Sequence, residues 1–157
     1  KFIGRRKQGF YGRMDSSSGG RVRVGTQATD FAISGIADAA AWTQDRETFG
    51  KRDAYHQVTR HKIASMAQRV WATTTFLDNC AWRVMSGESP VAELAMLKVQ
   101  ATETMEYCAR EAMQTLGGAG FIRGHRVERI YREVRVMAIG GGSEEIMRDL
   151  AARQMGF

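Results

Sequence analysis

Three stretches of this sequence combine residue types that chemistry can use. RETFGK (46–51) joins an arginine to a glycine bend, QTLGGAGF (114–121) pairs two glycines with a third close behind, and IGGGSEEIM (139–147) runs three glycines into a serine and two acids. Arg46 offers a planar fork of donors, which suits a pyrophosphate better than the point charge of a lysine. A helix end needs one glycine, so the pair Gly117-Gly118, with Gly120 behind it, reads as backbone meant to approach phosphate or sugar oxygens with no Cβ in the way. It is not a dinucleotide fingerprint, because it follows a helix and Arg123 stands where that motif's third glycine belongs. Plainer readings stand beside these. RETFG also fits a charged helix end with a glycine stop, and Glu144 and Glu145 fit the first turn of a helix, where acids favour the dipole. Arg129 and Arg135 fit a solvated face shared with Glu128 and Glu133.

The elements that must hold these segments are almost all helical. From about Arg21 to Arg46, Val24, Ala28, Phe31, Ile33, Ile36 and Ala40 fall near helical spacing, and the small residues among them predict close helix–helix approach. A second long helix is predicted from about Gln57 to Met85, stepping through Ile63, Met66, Val70, Leu77 and Cys80. Ser89 is expected to cap a third, which starts at Pro90, the only proline, and ends at Gly117-Gly118. Shorter helices are expected from about Arg126 to Arg135 and from Ser143 to Gln154, with RETFGKRDAY as a loop. The expectation is an all-α antiparallel four-helix-type bundle over residues 21–157. Residues 1–20 lack periodicity and end in a Ser/Gly run, so they read as an irregular basic lead-in, flexible or non-native.

At 157 residues, with 43% hydrophobic and 25% charged residues, the chain can bury one proper core. No apolar run nears the roughly 20 residues that span a bilayer. The net charge of +6 comes from the first 23 residues, where Lys1, Arg5, Arg6, Lys7, Arg13, Arg21 and Arg23 face only Asp15. Beyond them acids and bases balance, which argues against nucleic-acid binding. Cys80 and Cys108 lie inside helical patterns and read as buried, reduced thiols in a cytoplasmic setting.

Four segments in order, RETFGK, Ala81-Trp82, QTLGGAGF and VERIYREVRVMAIGGGSEEIM (127–147), resemble the C-terminal helical domain of the flavin-dependent acyl-CoA dehydrogenases, over nearly everything from Gly20 to Phe157. The family's N-terminal helical domain and middle β-domain are not among these residues. The resemblance implies FAD as cofactor, an acyl-CoA thioester as substrate, and a homo-oligomer (dimer or tetramer) or a heteromeric flavoprotein subunit. Carried over residue by residue, it implies that Arg46, Thr48 and Phe49 reach the FAD of a neighbouring subunit, and that Gln114, Leu116, Gly117 and Gly118 line its adenosine-diphosphate part. Ala81 and Trp82 fall where family members meet FAD, although Trp82 reads equally well as a core aromatic. Ser143 and Glu145 would be ribose or adenine contacts, and Arg132 sits where the family keeps an arginine suited to a buried ion pair.

One part is missing. Removing the α-proton of a thioester needs a carboxylate within hydrogen-bond reach, and the family mostly supplies a Glu in a pattern such as YEGT. Here that pattern aligns with Gly140-Gly141-Gly142-Ser143, so the base position is Gly141. A minority of the family places the Glu early in the first long helix, which corresponds to Gly20, followed by Arg21. Neither glycine can take a proton, so no catalytic residue is identified. A base from elsewhere in the assembly, other flavin chemistry such as a monooxygenase, and a non-catalytic interaction module all remain open.

Overall fold

The computed structural model describes the backbone from Gly9 to Phe157 and side chains from residue 19 onward. Six helices are found among the described residues: α1 (Gly9–Asp45), α2 (Gln57–Met85), α3 (Val91–Leu116), α4 (Gly118–Phe121), α5 (Arg126–Ile139) and α6 (Glu144–Gln154). Between α1 and α2 lie β1 (Glu47–Thr48), β2 (Lys51–Arg52) and a 3-10 turn at Asp53–Tyr55. The all-α bundle expected from sequence is the fold observed. The lead-in differs, because helix begins at Gly9 rather than near Arg21; once a long helix is nucleated, each added residue gains a hydrogen bond. Residues 1–8 lie outside the described residues.

The core explains the small residues of α1. Gly25, Ala28, Ala32, Gly35 and Ala39 recur at three- and four-residue steps, and the three alanines are fully buried. A Cβ on Gly25 would sit 3.4 Å from Leu97, and one on Gly35 would sit 3.8 Å from Ala112. Rising numbers on α1 thus meet rising numbers on α3, and the two helices run side by side in the same direction. α2 runs the opposite way. Met66 lies by Cys108, Thr73 shares a 2.8 Å hydrogen bond with Thr104, and Leu77 and Cys80 pack with Leu94 and Leu97. α5 also runs against α3, with Ile130 and Val134 packed on Ala101, Met105 and Ala109. α6 then covers Ala95 and Val99 with Met147 and Ala151.

Local details depart from the sequence reading. Pro90 holds the N-cap position of α3 with no side-chain cap, and Ser89 contributes its carbonyl instead, accepting from the Val91 N–H at 2.9 Å. α5 continues past Arg135 to Ile139, and the four-residue α4 begins at the second of the paired glycines. Both cysteines are free and buried, and burial pushes the Cys108 thiol up to about 12. Since the thiolate is the reactive form, a thiol reagent at pH 8 should leave Cys108 unmodified in the folded protein. It should react fully in denaturant, counted by mass spectrometry.

Candidate functional site

The arginine loop is a tight hairpin built on the end of α1. The Arg46 N–H donates to the Trp42 carbonyl at 3.0 Å, the Asp53 N–H returns to the Arg46 carbonyl at 2.9 Å, and Glu47 pairs with Arg52 and Thr48 with Lys51. Phe49 and Gly50 make the bend, both at positive φ (53° and 77°), which a two-residue hairpin turn of this kind demands. The Arg46 guanidinium lies 5.8 Å from the Trp42 ring centre, and its Nε is 3.6 Å from Asp53. The Thr48 hydroxyl donates to Asp53 and sits 3.1 Å from His56 Nε2. Phe49 meets the His56 ring edge-on at 6.1 Å but is otherwise 97% exposed.

The paired glycines end α3. Gly117 takes φ +61°, and its N–H donates to the Met113 and Gln114 carbonyls at 3.1 and 3.3 Å. Nothing lies within 4 Å of a Cβ built on Gly117 or Gly118, whereas one on Gly120 would strike the Met113 carbonyl oxygen at 2.8 Å. The three glycines therefore do two jobs: Gly120 lets α4 fold against the last turn of α3, and Gly117 and Gly118 leave the surface bare. That surface is one wall of a cleft of about 510 Å³, with Gln114, Phe121 and Tyr131 around it. A smaller cavity of about 250 Å³ is bounded by Thr48, Phe49, His56 and the same Gln114. Gln114 thus joins the arginine loop to the paired glycines. Leu116 does not share this surface, because its side chain is 1% exposed and belongs to the core with Cys108 and Val127; only its backbone is near the turn.

The remaining predicted residues lie elsewhere. Trp82 is about 36 Å along α2 from Val58, which borders the smaller cavity, at 1.5 Å per residue. It is 64% exposed, which rules out the core reading, and Ala81 beside it is half-buried. Arg83 binds both Glu88 (2.7 Å) and Glu93, tying this end of α2 to the start of α3. Ser143 and Glu145 follow the glycine turn, which reaches α3 at Lys98, about 24 Å along the helix from Gln114. The predicted residues therefore divide between two ends of the bundle, with Arg46, Thr48, Phe49, Gln114, Gly117 and Gly118 at one and Ala81, Trp82, Ser143 and Glu145 at the other.

At the second end the expected base position, Gly141, carries no side chain. Gly141 and Gly142 take φ +73° and +115°, and the space around a Cβ on Gly141 is open. The Glu145 carboxyl is held below the usual range by its own backbone N–H at the start of α6, then by the Ser143 hydroxyl. Gly20 is helical and equally bare. Arg21 beside it is buried, and its Nε and Nη1 have no hydrogen-bond partner among the described residues. Arg132 is no buried ion pair: it reaches Glu128 at 3.1 Å from one turn away with its side chain 63% exposed. Arg129 and Arg135 pair on the surface with Glu133 and Glu106, as a solvated face should. Lys98 escaped the sequence reading. Its sole signal was a charge inside the apolar run AMLKV.

The sequence profile of the acyl-CoA dehydrogenase C-terminal domain matches residues 7–156. The chain belongs to the acyl-CoA dehydrogenase family. A 3-(aryl)acrylate reductase of Clostridium sporogenes is 31% identical over 98% of this acyl-CoA dehydrogenase domain and 41% of its own length. A probable acyl-CoA dehydrogenase of Escherichia coli is also 31% identical, over 98% of this chain and 40% of its own. Among solved structures, a probable acyl-CoA dehydrogenase from Mycobacterium abscessus superposes with a TM-score of 0.94 at 36% identity, over 98% of this chain and 41% of its own. The domain thus spans about two fifths of these relatives.

Proposed function

We propose that the protein carrying this domain is an FAD-dependent oxidoreductase acting at Cα–Cβ of an acyl-CoA thioester, and that the domain supplies cofactor contacts and subunit contacts. The observation that carries this reading is the surface that runs from Thr48 and Phe49 of the arginine loop through Gln114 to Gly118. It fits the nucleotide half of FAD. Arg46 is oriented by Trp42 and Asp53 but is half-exposed, so its fork remains available for a pyrophosphate. The bare glycines admit close backbone approach, and the Gln114 amide both donates and accepts, as a ribose or adenine edge requires. Ser143 and Glu145, at the other end, offer a hydroxyl and a carboxylate to sugar hydroxyls. FAD, when bound, supplies the hydride acceptor for the acyl β-carbon. Neither Gly20 nor Gly141 carries an α-proton acceptor, and no residue of this domain is assigned that role.

The division of contacts between two ends supports an oligomer in which each cofactor is shared by two subunits. Phe49 and Trp82, one at each end, are large apolar side chains left in solvent by this chain alone. Light scattering on the complete protein should find a dimer or larger, and a strict monomer would count against shared sites. The cofactor assignment is tested by FAD titration of the apoprotein. Arg46→Ala removes charge-assisted hydrogen bonds and should weaken binding about ten- to a hundredfold. Equal affinity in the two proteins, or no retention of FAD by either, would leave a helical interaction module as the better description.

A further inference from the structure

Lys98 is the one lysine of the core among the described residues, 1% exposed in the first third of α3. Among the described residues no carboxylate bonds it. Its ammonium donates instead to the carbonyls of Ala138 and Gly142, the second at 2.7 Å. The Ala138 carbonyl lies in the last turn of α5, where a continued helix would give it the N–H of residue 142. The chain leaves the helix at Gly140 (φ −64°, ψ 144°) and passes through two left-handed glycines, so that donor is lost. Lys98 takes its place, at the helix end where a cation also meets the negative pole of the dipole. Burial lowers the lysine's affinity for its proton, and Glu144 and Glu145 beside the turn offset only part of that loss.

The consequence concerns the turn rather than the core. Within residues 140–143 the backbone makes few bonds of its own: Gly140 donates to the Val136 carbonyl at 2.7 Å, and the Ser143 carbonyl accepts from Met147 at 2.9 Å. Met147 closes over Gly142, its methyl filling the place where a Cβ would lie. Lys98 is the only side chain among the described residues that hydrogen-bonds this backbone from another element. We infer that Lys98 is a positioning residue, which fixes the Gly140–Ser143 turn and through it sets where Ser143 and Glu145 meet the bound nucleotide. This rests on the proposed flavoprotein function for its second half only.

The test compares Lys98→Met, Glu145→Gln and the double variant in the complete protein, with Thr73→Val as a core control remote from the turn. Amide hydrogen exchange reads the turn without any cofactor. In Lys98→Met, protection should fall at residues 140–147 while the helices keep theirs, and Thr73→Val should leave 140–147 unchanged. FAD affinity should drop about tenfold in Lys98→Met, and adding Glu145→Gln should cost nothing more, because a displaced turn has already lost that contact. Unchanged protection at 140–147, or additive losses in the double variant, would overturn the inference. If wild-type protein retains no FAD, the functional reading fails, yet the exchange pattern still decides whether Lys98 holds the turn. Should Lys98→Met not fold, Lys98→Gln, whose amide still reaches for one carbonyl, is read in the same two ways.

Discussion

Gly141→Glu, made in the complete flavoprotein, is expected to raise the rate of flavin reduction by an acyl-CoA about 10²- to 10⁴-fold, the usual contribution of a positioned general base. The substitution returns a carboxylate to the position where the family's YEGT pattern carries it. Space permits it, since nothing lies within 4 Å of a Cβ built at Gly141. The backbone resists it mildly: at φ +73° a side chain costs about 1–2 kcal/mol. Gly141→Gln carries the same strain and nearly the same shape but no base, so anaerobic stopped-flow should find no gain for Gln. Equal rates for the two variants would show that the reaction draws its base from another place, or that the chemistry is not α-proton abstraction.

Gly120→Ala is expected to lower the unfolding free energy by about 1–3 kcal/mol, a typical cost of overpacking. The new methyl would lie 2.8 Å from the Met113 carbonyl oxygen and 3.0 Å from its Cα, both backbone atoms of the last turn of α3. Neither can swing aside as a side chain would, so α4 must lift from α3. Urea unfolding should show a lower midpoint with an unchanged slope. Gly118→Ala provides the contrast. Its methyl meets nothing within 4 Å, so stability should hold while the methyl intrudes on the surface offered to the nucleotide. FAD binding should then weaken in Gly118→Ala without any loss of fold.

The long helices are legible because their apolar stripes repeat many times; the one expected from about Gln57 to Met85 spans those residues. The lead-in was misread because Ser and Gly are poor helix formers taken singly, while residues 9–20 merely extend a helix already formed. Among the proposed site residues, Arg46, Thr48 and Gln114 have polar side chains, so a motif can single them out. Leu116 stands in the same motif but serves the core, a distinction that sequence order cannot draw. Lys98 was missed for the opposite reason. Its partners are the carbonyls of Ala138 and Gly142, which are chosen by chain path and leave no trace in residue type.

Helix α3 also acts as a ruler. Lys98, which grips the glycine turn, and Gln114, which joins the arginine loop to the paired glycines, are fixed to one rod packed along its length against α1. A single inserted residue between them would lengthen the rod by about 1.5 Å and twist its two ends by about 100°. An insertion or deletion inside α3 is therefore tolerated only where a compensating change restores the phase between its two ends.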